Sequence, residues 1–191
     1  YFNGVKCVLP VLALLLCSFT LNNSPFRDKE PDTSYNPQRI YTVDELREDI
    51  SALRAKYERH NPNIYLYNSK NELDKYFDSL SNAIVSPMND MQFYRMLGPI
   101  TSRIKDAHTS IFPNENCEWW YGNQQFFIPL LITCNTGNIV TDLCASPDRT
   151  IPDGSEILSI NGNPAEDILS KMRNYAPRDG HNQTRVNWVI N

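Results

Sequence analysis

Thr101-Ser102-Arg103-Ile104-Lys105-Asp106-Ala107-His108-Thr109-Ser110 divides the chain into two differently patterned halves. Before it, apolar residues recur at steps of three and four, the period of a helix; after it they come in short runs broken by turn residues. The stretch also carries His108, one of 3 histidines in 191 residues. The change of period predicts an α+β chain: a small helical bundle over residues 41–112, then a compact β-rich domain over residues 113–176.

The helical half has its own start and stop signals. Thr42-Val43-Asp44-Glu45 is a capping box, a hydroxyl N-cap with Glu at the third helical position. Leu46, Ile50, Leu53 and Tyr57 then share one helical face, and Asn61-Pro62 ends it, because proline disfavours helical geometry in the residue before it. Residues 63–68 hold Ile64, Tyr65, Leu66 and Tyr67, an apolar connection expected to pack down. A second box, Ser69 with Glu72, opens the stripe Leu73, Tyr76, Phe77, Leu80 and Ile84, which Ser86-Pro87 closes. A third helix is expected from Asn89 or Asp90, with Phe93, Leu97, Ile100 and Ile104 on its face and a kink at Gly98-Pro99. Four residues beyond Ile104, that helix would carry His108.

In the other half, Trp119-Trp120-Tyr121 and Phe126-Phe127-Ile128 lead into the strand Leu130-Leu131-Ile132-Thr133. Thr136-Gly137-Asn138 predicts a turn and Ile139-Val140-Thr141-Asp142-Leu143 the partner strand of a hairpin. Ile157-Leu158-Ser159-Ile160 is a further strand, and Asn161-Gly162 a tight turn, since both residues tolerate positive φ. A helix should follow, with Asn163 as N-cap, Pro164 at its first position and Ile168, Leu169 and Met172 inward. Residues 154–169 resemble the PDZ pattern, Gly-Asp-x-Ile-Leu-x-Ile-Asn-Gly and a short helix, with Ser155 in place of the usual Asp and without a Gly-Leu-Gly-Phe-like run. The resemblance implies a PDZ-like module, which takes an extended peptide as an added strand.

A helical unit, an Asp-x-His-Thr sequence (Asp106, His108, Thr109) and a PDZ-like module, in that order, resemble the tail-specific, or C-terminal-processing, serine peptidase family in its tricorn-core-like branch. The likeness covers residues 41 to the end and only the front of that family's architecture. It implies that His108 is the general base for a downstream serine, with residues 177–191 as the start of a catalytic core. Where the related tricorn core has a ring-orienting serine before its histidine, this chain has Ala107; other members use a serine–lysine dyad. The chemistry fits independently. A serine hydroxyl is a poor nucleophile until a base takes its proton, and an imidazole titrates near neutrality. The orienting acid is expected outside this chain, since Asp106, two residues away on a helix, would not face His108; Thr109 is a candidate to hold the backbone or a ring nitrogen. The plainer reading of His108 is a helix C-terminal histidine complementing the dipole.

Residues 8–16 form an apolar run after Lys6, too short to span a bilayer and of the length of a signal-peptide core. Residues 1–21 are therefore read as an export signal, cleaved near residues 18–20 or lipidated at Cys17, and residues 22–40, rich in proline and polar residues, as an extended tether. The implied location is periplasmic or cell-envelope. The chain starts at Tyr1 and ends after the apolar run at residues 186–190; read as an unpartnered strand, that run suggests truncation.

With 18 Lys and Arg scattered among 22 Asp and Glu, the net charge of −4 offers no basic face for nucleic acid. No metal or cofactor is implied: His60, at a helix stop, His108 and His181, in a turn-like run, lack zinc-ligand spacing. Cys134 and Cys144 flank the hairpin turn and are candidates to pair in an oxidising compartment, leaving Cys117 free. Asn182-Gln183-Thr184 matches a glycosylation sequon that also arises by chance. Two functions stay open. One is the front of an exported serine endopeptidase, inactive alone, whose substrate is a peptide or protein. The other is a non-catalytic cell-envelope module that binds a peptide or partner.

Overall fold

The computed structural model of the chain describes residues 34–122, 128–134, 137–147 and 150–190. The expected export signal with Cys17, the tether up to residue 33, Phe126-Phe127 and Thr136 lie outside the described residues. The chain is mixed α and β and divides into two compact units, Tyr1–Gly98 with His108–Gln124, and Pro99–Ala107 with Gln125–Asn191.

The first unit is helical. α1 (Val43–His60) and α2 (Lys70–Ala83) each begin in a complete capping box, Thr42 with Glu45 and Ser69 with Glu72, as the spacing predicts. Leu46, Ile50, Leu53 and Tyr57 of α1 and Leu73, Phe77 and Leu80 of α2 are buried. Each such side chain contributes roughly 1.5–3 kcal/mol by leaving water. The Arg47 guanidinium donates to the carbonyls of Ser81 and Ile84 at 3.1 and 3.0 Å, placing a cation where the α2 dipole is negative. α3 (Asp90–Leu97) starts in a third box, Asn89 with Gln92. Tyr41 and Met88 exchange backbone hydrogen bonds at 2.9 and 3.2 Å, joining the entry to α1 to the entry to α3.

Three expectations differ here. Of the apolar residues in the connection 63–68 only Ile64 is buried; Tyr65, Leu66 and Tyr67 are exposed. The predicted third helix is not continuous: α3 stops at Leu97, and a separate short helix, α4 (Ile100–Ile104), follows Gly98-Pro99. Pro99 has no N–H to continue the ladder, so the kink becomes a break. Trp119-Trp120-Tyr121 lies in a helix, α5 (Glu115–Gly122), not in an approach to a strand. Asn114 caps that turn, its side-chain oxygen accepting from the Cys117 N–H at 2.9 Å, and Glu115 and Glu118 sit in the first turn, where the dipole favours acids.

In the second unit, β1 (Leu130–Cys134) and β2 (Ile139–Cys144) form the expected antiparallel hairpin, with a register shift between Leu131 and Ile132. β3 (Glu156–Ile157) pairs with β2, giving the order β1-β2-β3. β4 (Ser159–Ile160) pairs instead with β5 (Asn163–Pro164) across Asn161 and Gly162, at φ +50° and +79°. The expected strand over residues 157–160 is thus split at Leu158, and Asn163 pairs in a hairpin rather than capping a helix. α6 (Ala165–Tyr175) begins one residue later than expected, with Pro164 as its N-cap. Ala165 and Leu169 pack with Cys134 and Ile139, and with Val186 and Ile190 of α7 (Gln183–Ile190), in one core. The run at residues 186–190 is therefore helical, with Val186 and Ile190 four apart on one face, and the argument from an unpaired strand falls away. α7 is capped by Asn182, whose side-chain oxygen accepts from the Arg185 N–H at 3.1 Å.

Candidate functional site

The turn that carries His108 is built by the way α4 ends. Ile100 and Ile104, four apart, are fully buried. Lys105 follows in the left-handed conformation, φ +60°, which stops the helix and turns the chain away. His108 therefore lies in a turn three residues beyond, with its side chain exposed, and not on a helix end. The plain reading of a helix C-terminal histidine loses its premise, as does the argument that Asp106 and His108 share a helix and cannot face each other.

Both neighbours of His108 are held. In the second unit, the Ala107 N–H donates to the Asp179 carboxylate at 2.9 Å, and the Gly180 N–H donates to the Lys105 carbonyl at 2.9 Å. The Thr101 hydroxyl donates to the Tyr175 carbonyl at 3.1 Å, and α4 packs on α6. In the first unit, the Asn61 side-chain amide donates to the Thr109 hydroxyl at 2.8 Å, and both residues are buried. Thr109 thus serves the backbone geometry, through the residue that caps α1. Asp179-Gly180 reads in the sequence as one more turn pair. Nothing in its residue types says that it meets residues 105–107, which lie more than 70 positions earlier.

The Cys134–Cys144 bridge is absent. Both thiols are buried and in no disulfide, as is that of Cys117. The hairpin register explains it: Cys134 lies opposite Ile139 and Cys144 opposite Leu130, at opposite ends of the ladder. Burial pushes the Cys134 thiol up and that of Cys117 to about 11.

Among the described residues no further strand pairs with β1 or β3 on the side away from β2. An apolar hollow of about 390 Å³ lies elsewhere in the same unit, lined by Ile168, Met172 and Tyr175 of α6 and Val189 and Ile190 of α7. Apart from Ala176, just past the end of α6, its lining is helical, and no strand of the sheet borders it. Among the described residues no group of three His, Cys, Asp or Glu side chains is placed to hold a metal ion, and no helix is long and apolar enough to cross a membrane.

The first unit holds a polar cluster that the sequence reading passes over. Asp90, buried, accepts from the Tyr35 hydroxyl at 2.5 Å, from the Asn114 amide at 3.4 Å and from the Met91 N–H at 2.8 Å. Burial first, and Asp90 next, push the Tyr35 hydroxyl well above the usual phenol range, so it stays a donor. Tyr35 lies in the segment expected to be a tether; at that point the segment is fastened to the helical unit. No protein-family model, curated protein or solved structure matches the chain.

Proposed function

We propose that this chain is the front part of an exported serine endopeptidase in which His108 is the general base. The nucleophilic serine, the oxyanion hole and the acid that orients the ring would lie outside these residues. The second unit would be a PDZ-like module that presents peptide or protein substrate to the catalytic core. Export would follow from residues 1–21, with Cys17 as the lipid attachment point if the signal is of the lipoprotein type.

The observation that carries the reading is the state of His108. Its side chain is exposed on a turn whose residues on either side are hydrogen-bonded within their own units. A base must reach a hydroxyl supplied from elsewhere, and must do so in a repeatable geometry. An exposed imidazole meets the first demand, and the bond from Asn61 to the next residue, Thr109, within the same unit serves the second. The order β1-β2-β3, in which β1 and β3 are the outer strands among the described residues, favours peptide binding by strand addition, which the non-catalytic binding reading shares.

The test is His108→Ala in the complete protein. Removing a general base should lower turnover about 10²–10⁴-fold, and the melting temperature should hold because the side chain is exposed. Unchanged turnover removes His108 from the mechanism. A complete protein with no serine-dependent hydrolysis, which still binds peptides, supports the binding module instead.

A further inference from the structure

We propose that a polar hollow in the first unit binds a small neutral polyhydroxyl ligand, a single sugar ring. The hollow has a volume of about 150 Å³ and is lined chiefly by Tyr35, Asn36 and Arg39 before α1, by Tyr41, and by Asn114 and Asn116 at the start of α5. These residues all belong to the first unit. Sites for drug-sized molecules run from about 300 Å³ upward, so this one suits a smaller ligand. Much of its wall is set in advance. The Tyr35 hydroxyl and the Asn114 amide both donate to Asp90, and the Asn114 side-chain oxygen accepts from the Cys117 N–H. Tyr41 is buried and exchanges backbone hydrogen bonds with Met88. Asn36 is fixed by its own turn: its carbonyl accepts from the Arg39 N–H at 3.0 Å, and its side-chain oxygen from the Gln38 N–H at 2.9 Å. Groups ordered before binding lower the entropic cost of taking up a ligand.

The chemistry of the lining selects the ligand. Among the described residues the Arg39 guanidinium makes no hydrogen bond or ion pair; it lies over the Tyr41 ring, 4.8 Å from its centre. The Asn116 side chain and the Asn36 amide nitrogen likewise make no hydrogen bond to a described residue. An amide offers both donors and an acceptor, and so does each hydroxyl of a sugar. The tyrosine rings add apolar surface for the C–H groups between those hydroxyls. Charge argues against an ion. No carboxylate lines the hollow, so a cation finds no partner there. An anion would meet Arg39, but it would also meet the field of Asp90, which sits behind Tyr35 and Asn114. Arg39 has a negative neighbour already: the Glu45 carboxyl, lowered chiefly by its bonds to Thr42, is lowered further by this cation. Glu115 adds another acid at the start of α5. With the charges offset, a neutral ligand that donates and accepts is the one the open groups can satisfy.

The experiment titrates the 191-residue chain with glucose, galactose and N-acetylglucosamine, and separately with sodium acetate at matched ionic strength. The side-chain amide signals of Asn36, Asn114 and Asn116 are followed by NMR. At least one of the sugars should shift them saturably, with half-saturation on the order of 1–10 mM for a ligand this small. Acetate should leave them in place. Asn116→Ala and Arg39→Ala should each weaken sugar binding roughly three- to ten-fold. Melting temperatures should change little, because neither side chain hydrogen-bonds to a described residue; if one variant loses its folded signals, the other carries the comparison. Signals that never saturate with any of the sugars overturn the site. So do sugar shifts that persist unchanged in both variants, which would place the binding elsewhere. Saturation by acetate with all three sugars silent overturns the choice of ligand and makes the hollow a carboxylate site.

Discussion

The Asn61 side-chain amide donates to the Thr109 hydroxyl at 2.8 Å, joining two buried residues 48 positions apart. Asn61 also accepts from the Asn63 N–H at 2.9 Å, so one amide both closes α1 and fixes the residue after His108. Thr109→Val keeps the shape and removes this acceptor from the buried Asn61 amide. The expected loss is about 1–3 kcal/mol in urea denaturation, with Thr109→Ser much milder. Equal stability of the valine and serine variants would mean that the bond contributes nothing.

Asp49 sets a pH dependence of the opposite sign to that of most carboxylates. It is 9% exposed on α1, one of its oxygens lacks a hydrogen-bond partner among the described residues, and burial pushes its carboxyl up to about 6 against a partial offset from Lys56. The folded state therefore holds this proton more tightly than the unfolded state. The stabilisation is fully present below the ordinary carboxyl pKa near 4 and is lost as pH rises through about 6, a change on the order of 2–3 kcal/mol. Glu45 and Glu58 have lowered values and act in the other direction, so the test is the difference between wild type and Asp49→Asn. From pH 4 to pH 7.5 the wild type should lose stability relative to the variant. Parallel curves would show that Asp49 is solvated.

Much of this architecture is legible from local chemistry. The boxes at Thr42 and Ser69 place two helices because a hydroxyl and an acid three residues apart satisfy orphan backbone N–H groups whatever lies around them. Asn161-Gly162 places a hairpin because few residues accept positive φ. What the sequence hides depends on tertiary context. Short apolar runs such as residues 119–121 and 186–190 suit either period, and caps at Asn114 and Asn182 decide them as helices. The cluster around Asp90 and the contact of Asp179 with Ala107 join distant segments, one of them through the main chain, and leave no spacing to read. His108 is visible as a motif residue, but its turn is set by the left-handed Lys105, whose conformation no residue type announces.

Tyr35 fastens the segment before α1 to Asp90, and removing its hydroxyl tests how much that bond matters. Tyr35→Phe removes one donor from the buried carboxylate, which keeps Asn114, the Met91 N–H and the Cys117 thiol. A loss of about 1–3 kcal/mol in the first unit is expected, since the vanished donor served a charged acceptor. Asp90→Ala should be at least as damaging, because it strips partners from Tyr35, Asn114 and the α3 N-terminus together. The double substitution should fall short of the sum, as members of one network do not act independently. Additive losses would place the two residues in separate environments.

The two hairpin cysteines offer a test of register. Cys134 pairs with Ile139 and Cys144 with Leu130, so four residue steps separate them along the ladder. At roughly 3.3 Å per step their backbones stand about 13 Å apart, twice the reach of a disulfide. Oxidation of the folded protein should therefore produce no peptide linked through Cys134 and Cys144, and reductant should leave the melting temperature unchanged. Both thiols are buried, and burial raises that of Cys134, so alkylation should be slow until denaturant is added. A 134–144 linked peptide recovered from the native protein would require a different strand register. It would shift the side chains that face Ala165 and Leu169, and with them the core on which α6 and the turn before His108 are seated.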